Sequence, residues 1–206
     1  MAVTHRGSGA PPGLLGVKCD VTDTCQVNAA FAEAEAAHGP VEVLVCNAGI
    51  TDDALLSRMA QERFTKVLDT NLVGAYRVVR RAVPGMLLMQ RGRIVLMSSV
   101  SGLSGTVGQA NYATGTAGML GLARSLAREL GSRGITVNVV APGLVLTNMA
   151  ETLSADRKAQ MLANVPLEQH ADPDDVAGPV RRLATDEARC ITGAVLPVDG
   201  GLGMGH

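Results

Sequence analysis

The sequence has no tryptophan, two phenylalanines and two tyrosines, so aromatics supply only 2% of its 206 residues. A core must then be built from Ala, Val, Leu, Ile and Met, packed closely through 24 glycines. That composition suits helices lying tightly on a sheet. An excess charge of either sign is also missing: 18 Lys and Arg face 19 Asp and Glu, for a formal net charge of −1. This argues against a general polyanion binder, and no nucleic-acid partner is expected. The local basic run Arg77, Arg80 and Arg81 reads either as a solvated helix face or as a surface for an acidic partner. The four cysteines, Cys19, Cys25, Cys46 and Cys190, show no C-x-x-C spacing and no accompanying histidine pattern. Neither a metal site nor a disulfide framework follows, and the chain reads as reduced and cytoplasmic. No apolar run approaches the roughly 18 residues of a membrane span. The opening "MAVTHRGSGAPPG" lacks the apolar centre of a signal peptide.

What is present is alternation. The length and a 47% hydrophobic content fit one large domain over residues 1–206. "AVT" and "LLGVKC" read as strands joined by the Gly/Pro-rich "GSGAPPG". After Asp23, a candidate N-cap, Val27, Ala30, Phe31 and Ala34 fall on one helix face that ends at Gly39-Pro40. "VEVLVC" is a continuous apolar strand, as expected where helices cover both faces of a parallel sheet. A long helix is predicted over about 61–89, with Phe64, Val67, Leu68, Leu72, Ala75 and Val79 on its buried stripe and a kink at Pro84. "RIVLMS", a helix over about 111–131, "ITVNVV", a helix opening at Asp172-Pro173 and "AVLPV" continue the pattern. The order specifies an α/β fold with a doubly wound parallel sheet, and it places ligands at the carboxyl ends of the strands. The polar stretch at about 150–170 reads as a mobile flap over those ends.

Those ends carry the polar residues. "VLVCNAG" ends in Asn47-Ala48-Gly49, "IVLMSSVSG" in Ser98 and Ser99, and "VNVVAPG" in Pro142-Gly143. Asn71 interrupts the apolar face of the long helix, where it either ties the helix to a strand end or holds a water. Together with "NYATGTAG" and "ITGAVLPVDGGLGMGH", these ordered motifs resemble the short-chain dehydrogenase/reductase family over essentially the whole chain. They are most similar to its 3-oxoacyl-acyl-carrier-protein reductases, enzymes of fatty-acid and polyketide assembly. The resemblance implies a Rossmann-like fold and reduction of a 3-oxoacyl thioester, free or carried on an acyl carrier protein, with NADPH as cofactor. It makes Tyr112 the proton donor, Ser99 the hydroxyl that orients the substrate carbonyl, and Asn71 the holder of a relay water. It also assigns Arg6 to the cofactor 2′-phosphate and Asp20-Val21 to the adenine. Asn47, Ala48 and Gly49 fall on the ribose side, and Pro142, Gly143 and Thr147 on the nicotinamide side. A homo-oligomer, dimer or tetramer, or a hetero-oligomer with a complete homologue, is implied through the helices at about 61–89 and 111–131.

Two departures from the family pattern stand out. The lysine four residues after the tyrosine is replaced by Thr116, beside Gly115, and a hydroxyl brings no charge to lower the phenol's pKa. The family's opening strand and glycine-rich turn, T-G-x-x-x-G-I-G, are not found. "MAVTHRGSG" resembles the second strand, so the sequence begins one βα unit late, about 30 or more residues. Met1 falls where the family has an apolar strand residue, and an internal valine codon read as a start gives the same sequence. In the family's strand order, 3-2-1-4-5-6-7, the strand at residues 2–5 then has no usual neighbour. Three readings follow: an NADPH-dependent 3-oxoacyl reductase that is impaired or completed by upstream residues, a non-redox enzyme using Tyr112 and Ser99 for dehydration, isomerisation or cyclisation, or a catalytically silent partner of a complete reductase.

Overall fold

Backbone pairing divides the strands between two sheets, parallel throughout, in a computed structural model that describes residues 1–146, 159 and 162–204. Strand β1 (Ala2–His5) pairs with β2 (Leu15–Lys18). The second sheet has the order β3 (Val43–Cys46), β4 (Gly92–Met97), β5 (Ile135–Pro142), β6 (Val195–Val198). Helices flank the sheets, so the α/β, doubly wound expectation holds. Among the described residues, the strand at residues 2–5 keeps one neighbour, β2, and has none on its other side. Between β1 and β2, Gly9 and Gly13 adopt φ +79 and +83, a left-handed conformation that only glycine takes at little cost.

Two helices begin where the sequence signals them. The Asp23 carboxylate accepts the backbone N–H groups of Cys25 and Gln26 and opens α1 (Thr24–His38), which stops at Gly39, φ +78. Asp172 and Asp175 form a capping box with Pro173 in the first turn of α6 (Pro173–Leu183). The helix predicted over 61–89 is instead two helices, α2 (Gln61–Leu68) and α3 (Gly74–Met89), joined by a π-helical turn, Asp69–Val73. Pro84 lies inside α3 without ending it. The irregularity therefore sits at Asn71 and not at the proline, and its cause is the side-chain bonding described below. Single π turns of this kind recur at functional sites.

The core is aliphatic, as the composition requires. On the face of α1, α3 and α5 (Ala110–Leu130) it includes Val27, Val79, Met86, Ile94, Leu96, Val137 and Leu130. On the opposite face Val95 and Val140 meet Val176 and Leu183 of α6. Glycines permit the close approaches. A Cβ on Gly102, in the single turn α4 (Ser101–Ser104), would lie 2.8 Å from both Ala117 N and Thr116 Oγ1. One on Gly118 would lie 2.6 Å from Leu72 Cδ2. Strand β3 departs from expectation: Leu44 and Cys46 turn to the core, but Val43 and Val45 are 43% and 40% exposed. Helix α6 reaches β4 and β5, so this face of β3 is open.

Candidate active site

Strands β3, β4 and β5 are neighbours and parallel, so Asn47-Ala48-Gly49, Ser98-Ser99 and Pro142-Gly143 end on one rim. Asn71 closes it from the helix layer. Its Oδ1 accepts the Ile50 N–H at 2.9 Å and its Nδ2 donates to the Ile50 carbonyl at 3.0 Å. The side chain is 1% exposed, so the structure favours the tie between helix and strand end. The π turn places this amide opposite Ile50, which explains why an Asn sits on an apolar stripe. Asn71→Ala leaves both backbone groups without this partner and is expected to destabilise the fold by about 2 kcal/mol or more, measured as the urea unfolding midpoint. Asn71→Asp restores only the acceptor.

Tyr112 lies in the first turn of α5, close enough to Ser99 for that hydroxyl to influence its phenol, and the Ser99 Oγ accepts the Ser101 N–H at 3.1 Å. Burial pushes the phenol above its ordinary range, the Ser99 hydroxyl opposes that shift, and the Asp53 carboxylate adds to it. No cation appears among these influences. The phenol is therefore protonated across the neutral range but is a weaker acid than free tyrosine. Asp53, which the sequence reading did not single out, is held by Gln109 Nε2 at 2.9 Å. Asn111, fully buried, fixes the tyrosine's turn: its Oδ1 accepts the Tyr112 N–H at 2.8 Å and its Nδ2 donates to the Asp52 carbonyl at 2.9 Å. The Asp52 carboxylate is in turn paired with Arg63, which holds its carboxyl below the usual range. A polar residue directly before the tyrosine was the available signal for Asn111; Asp53 had none beyond its place after a strand.

Thr116, one helical turn later, is 1% exposed, and its hydroxyl donates to the Tyr112 carbonyl at 2.8 Å. It is held by its own helix and offers the phenol nothing. Ser98 ties this turn to β4 by donating its Oγ to the Thr116 carbonyl at 2.9 Å. Gly115 brings no backbone into unusual contact: a Cβ there would stand 3.5 Å from Asn71 Cβ, an ordinary packing distance. Gly115→Ala is accordingly expected to stabilise the protein by roughly 0.5–1 kcal/mol through helix propensity, read from chemical denaturation.

The remaining sequence-derived positions follow strands of both sheets. Pro142 accepts the Val100 N–H at 2.9 Å, next to Ser99, and Gly143 packs on Asp199. Asn47, Ala48 and Gly49 are exposed on the rim. Cys46, just before them, has its thiol pushed up to about 12 by burial, which makes it inert. Arg6, Asp20 and Val21 follow β1 and β2, the strands of the other sheet. The Val21 carbonyl accepts from Arg77 at 3.4 Å, and Asp20 accepts the Thr22 N–H and hydroxyl at 2.9 and 2.7 Å, which keeps its carboxyl low. Thr147 and most of the proposed flap lie outside the described residues. The exposed guanidinium of Arg6 suits a phosphate monoester by its donor set, and the open Asn47–Gly49 and Pro142–Gly143 ends suit a ribose and a flat ring. A pyrophosphate finds less: the N-terminus of α1 already carries the Asp23 carboxylate, which repels an anion.

Much of this sequence is shared with known proteins. A family model described as enoyl-(acyl carrier protein) reductase matches residues 4–203. The 3-oxoacyl-[acyl-carrier-protein] reductase MabA of Mycobacterium avium is 53% identical over 206 residues, which is all of this chain and 81% of that protein. Its counterpart in Mycobacterium tuberculosis is 52% identical over the same 206 residues, 83% of that protein. The Staphylococcus aureus reductase FabG is 45% identical over 190 residues, 92% of this chain and 77% of that protein. With its parallel sheets, flanking helices and a tyrosine and serine on the strand-end rim, the chain belongs to the short-chain dehydrogenase/reductase family. Within that family it is related to the 3-oxoacyl-[acyl-carrier-protein] reductases.

Proposed function

We propose that this chain is an NADPH-linked reductase of 3-oxoacyl thioesters whose acid is assembled but lacks its activating cation. The observation that carries the reading is the Tyr112–Ser99 pair on the strand-end rim, with Thr116 turned back onto the helix. When bound, NADPH supplies the hydride that reaches the ketone carbon. The chain's own residues answer the negative charge that grows on the carbonyl oxygen. Ser99 Oγ orients that oxygen by a hydrogen bond, and the Tyr112 hydroxyl gives it a proton. Asn71 acts through the Ile50 backbone, holding the rim in register. Arg6, Asp20, Val21, Asn47, Ala48, Gly49, Pro142, Gly143 and Thr147 are the proposed cofactor contacts.

The acyl group is proposed to arrive as a thioester on an acyl carrier protein, in keeping with the names of the relatives, in the cytoplasm. No helix among the described residues is long and apolar enough to cross a membrane. Val73 in the π turn and Tyr76 on α3, 37% and 47% exposed, support assembly into a homo-oligomer through that helix. The direct test is NADPH oxidation with an acetoacetyl thioester. Slow but saturable turnover supports the proposal. No oxidation even by the Thr116→Lys chain overturns it and leaves the non-redox and silent-partner readings.

A further inference from the structure

We propose that Arg77 is a positioning residue for the adenine side of the cofactor, holding the loop after β2 against the π turn that carries Asn71; the proposal rests on the reductase reading above. Arg77 stands in the first turn of α3, its side chain 22% exposed. Its Nη2 donates to Asp69 Oδ1 at 2.8 Å and its Nη1 to the Val21 carbonyl at 3.4 Å. Asp69 opens the π turn, and Val21 belongs to the proposed adenine pair. One guanidinium therefore spans both, which its rigid fork of N–H donors allows and a lysine ammonium does not reproduce.

Arg77 acts on a single peptide group. The Val21 carbonyl and the Thr22 N–H share one plane, and that N–H donates to Asp20 Oδ1 at 2.9 Å. The plane is thus held at both ends, by Arg77 and by the Asp20 carboxylate, and turning it moves the carboxylate proposed to meet the adenine. The Val21 side chain is fixed from the same helix, since a Cβ on Gly74 would lie 2.8 Å from Val21 Cγ2. Among the described residues, the other hydrogen bonds of residues 20–23 reach no further along the chain than Val27. Arg77 is therefore the polar tie between this loop and the helix layer that carries the rim. Arg81, one turn on, offers a control. It donates to both Glu35 carboxylate oxygens, at 3.2 and 2.6 Å, and stacks on Phe31 at 4.9 Å. It too joins α3 to α1, but its partners are not in the adenine loop.

The test is calorimetric titration of the 206-residue chain with NADPH and with adenosine 2′,5′-bisphosphate, which carries the adenine and the 2′-phosphate but no nicotinamide. Arg77→Met is expected to raise both dissociation constants about tenfold or more, the size of one lost charge-assisted hydrogen bond. In NADPH oxidation the loss should fall on the KM for NADPH, with kcat within about twofold of the parent. Asp69→Ala, which removes the anchor, should act in the same direction and add nothing in the Arg77→Met background. Arg77→Lys, which holds one partner at a time, is expected to lie between the parent and Arg77→Met, and it decides the matter where Arg77→Met does not fold. Arg81→Ala should lower the urea midpoint yet leave both dissociation constants within about twofold of the parent. Unchanged binding in the Arg77 variants, or equal losses in Arg77→Met and Arg81→Ala, would overturn the proposal with the reductase reading intact. No binding of either ligand by the parent would overturn that reading and the proposal with it.

Discussion

The Thr116→Lys chain is expected to reduce an acetoacetyl thioester at least tenfold faster than the parent. Position 116 is one helical turn after Tyr112, on the same face of α5, so a lysine there brings an ammonium to the phenol's side of the helix. A nearby cation lowers an acid's pKa by about 1 to 3 units, and each unit is worth about 1.4 kcal/mol between the protonation states. In the parent the shift runs the other way, since burial and Asp53 both raise the phenol. The sign has a pH consequence. A donor must be protonated, so the parent keeps its acid form until the pH passes a raised pKa, and its rate falls only in strong alkali. The variant's alkaline limb is expected to begin at lower pH. An unchanged rate together with an unchanged limb would mean that proton donation is not what limits this chain.

Tyr112→Phe is expected to lose turnover by about 10²- to 10⁴-fold, the usual contribution of a positioned acid. The ring is retained, and the backbone N–H bonded to Asn111 is unaffected. Folding and NADPH affinity should therefore stay near the parent's values. The loss should appear in kcat with little change in KM, because the hydroxyl acts on charge that develops only in the transition state. The same substitution in the Thr116→Lys background should remove the gain from lysine entirely, as expected of two groups acting as one unit.

Much of the fold was legible in the sequence because its signals are local. Asp23 and Asp172 marked helix starts, Gly39 marked a stop, and the switch between strand and helix periods gave a parallel α/β order. The strand-end rim was also legible, since Asn47, Ser99 and Pro142 each follow a continuous apolar run. What escaped depends on contacts far apart in the chain. The π turn at Asp69–Val73 exists because Asn71 reaches Ile50, 21 residues away; periodicity alone made one helix of the whole stretch and placed the irregularity at Pro84. The exposed face of β3 was missed because "VEVLVC" has the same composition whether or not a helix covers it. Asp53 next to Tyr112 depends on α5 folding back onto the loop after β3, which no spacing rule reports. Gly115, read as a possible close approach, packs at an ordinary distance, and its meaning is confined to helix propensity.

The proposed reduction requires NADPH to bind although the N-terminus of α1 already carries the Asp23 carboxylate. Calorimetric titration of NADPH into the purified 206-residue chain tests this before any substrate is chosen. Saturable binding in the micromolar range, weakened by Arg6→Ala, is the predicted result. No heat of binding up to millimolar NADPH would contradict the reductase reading.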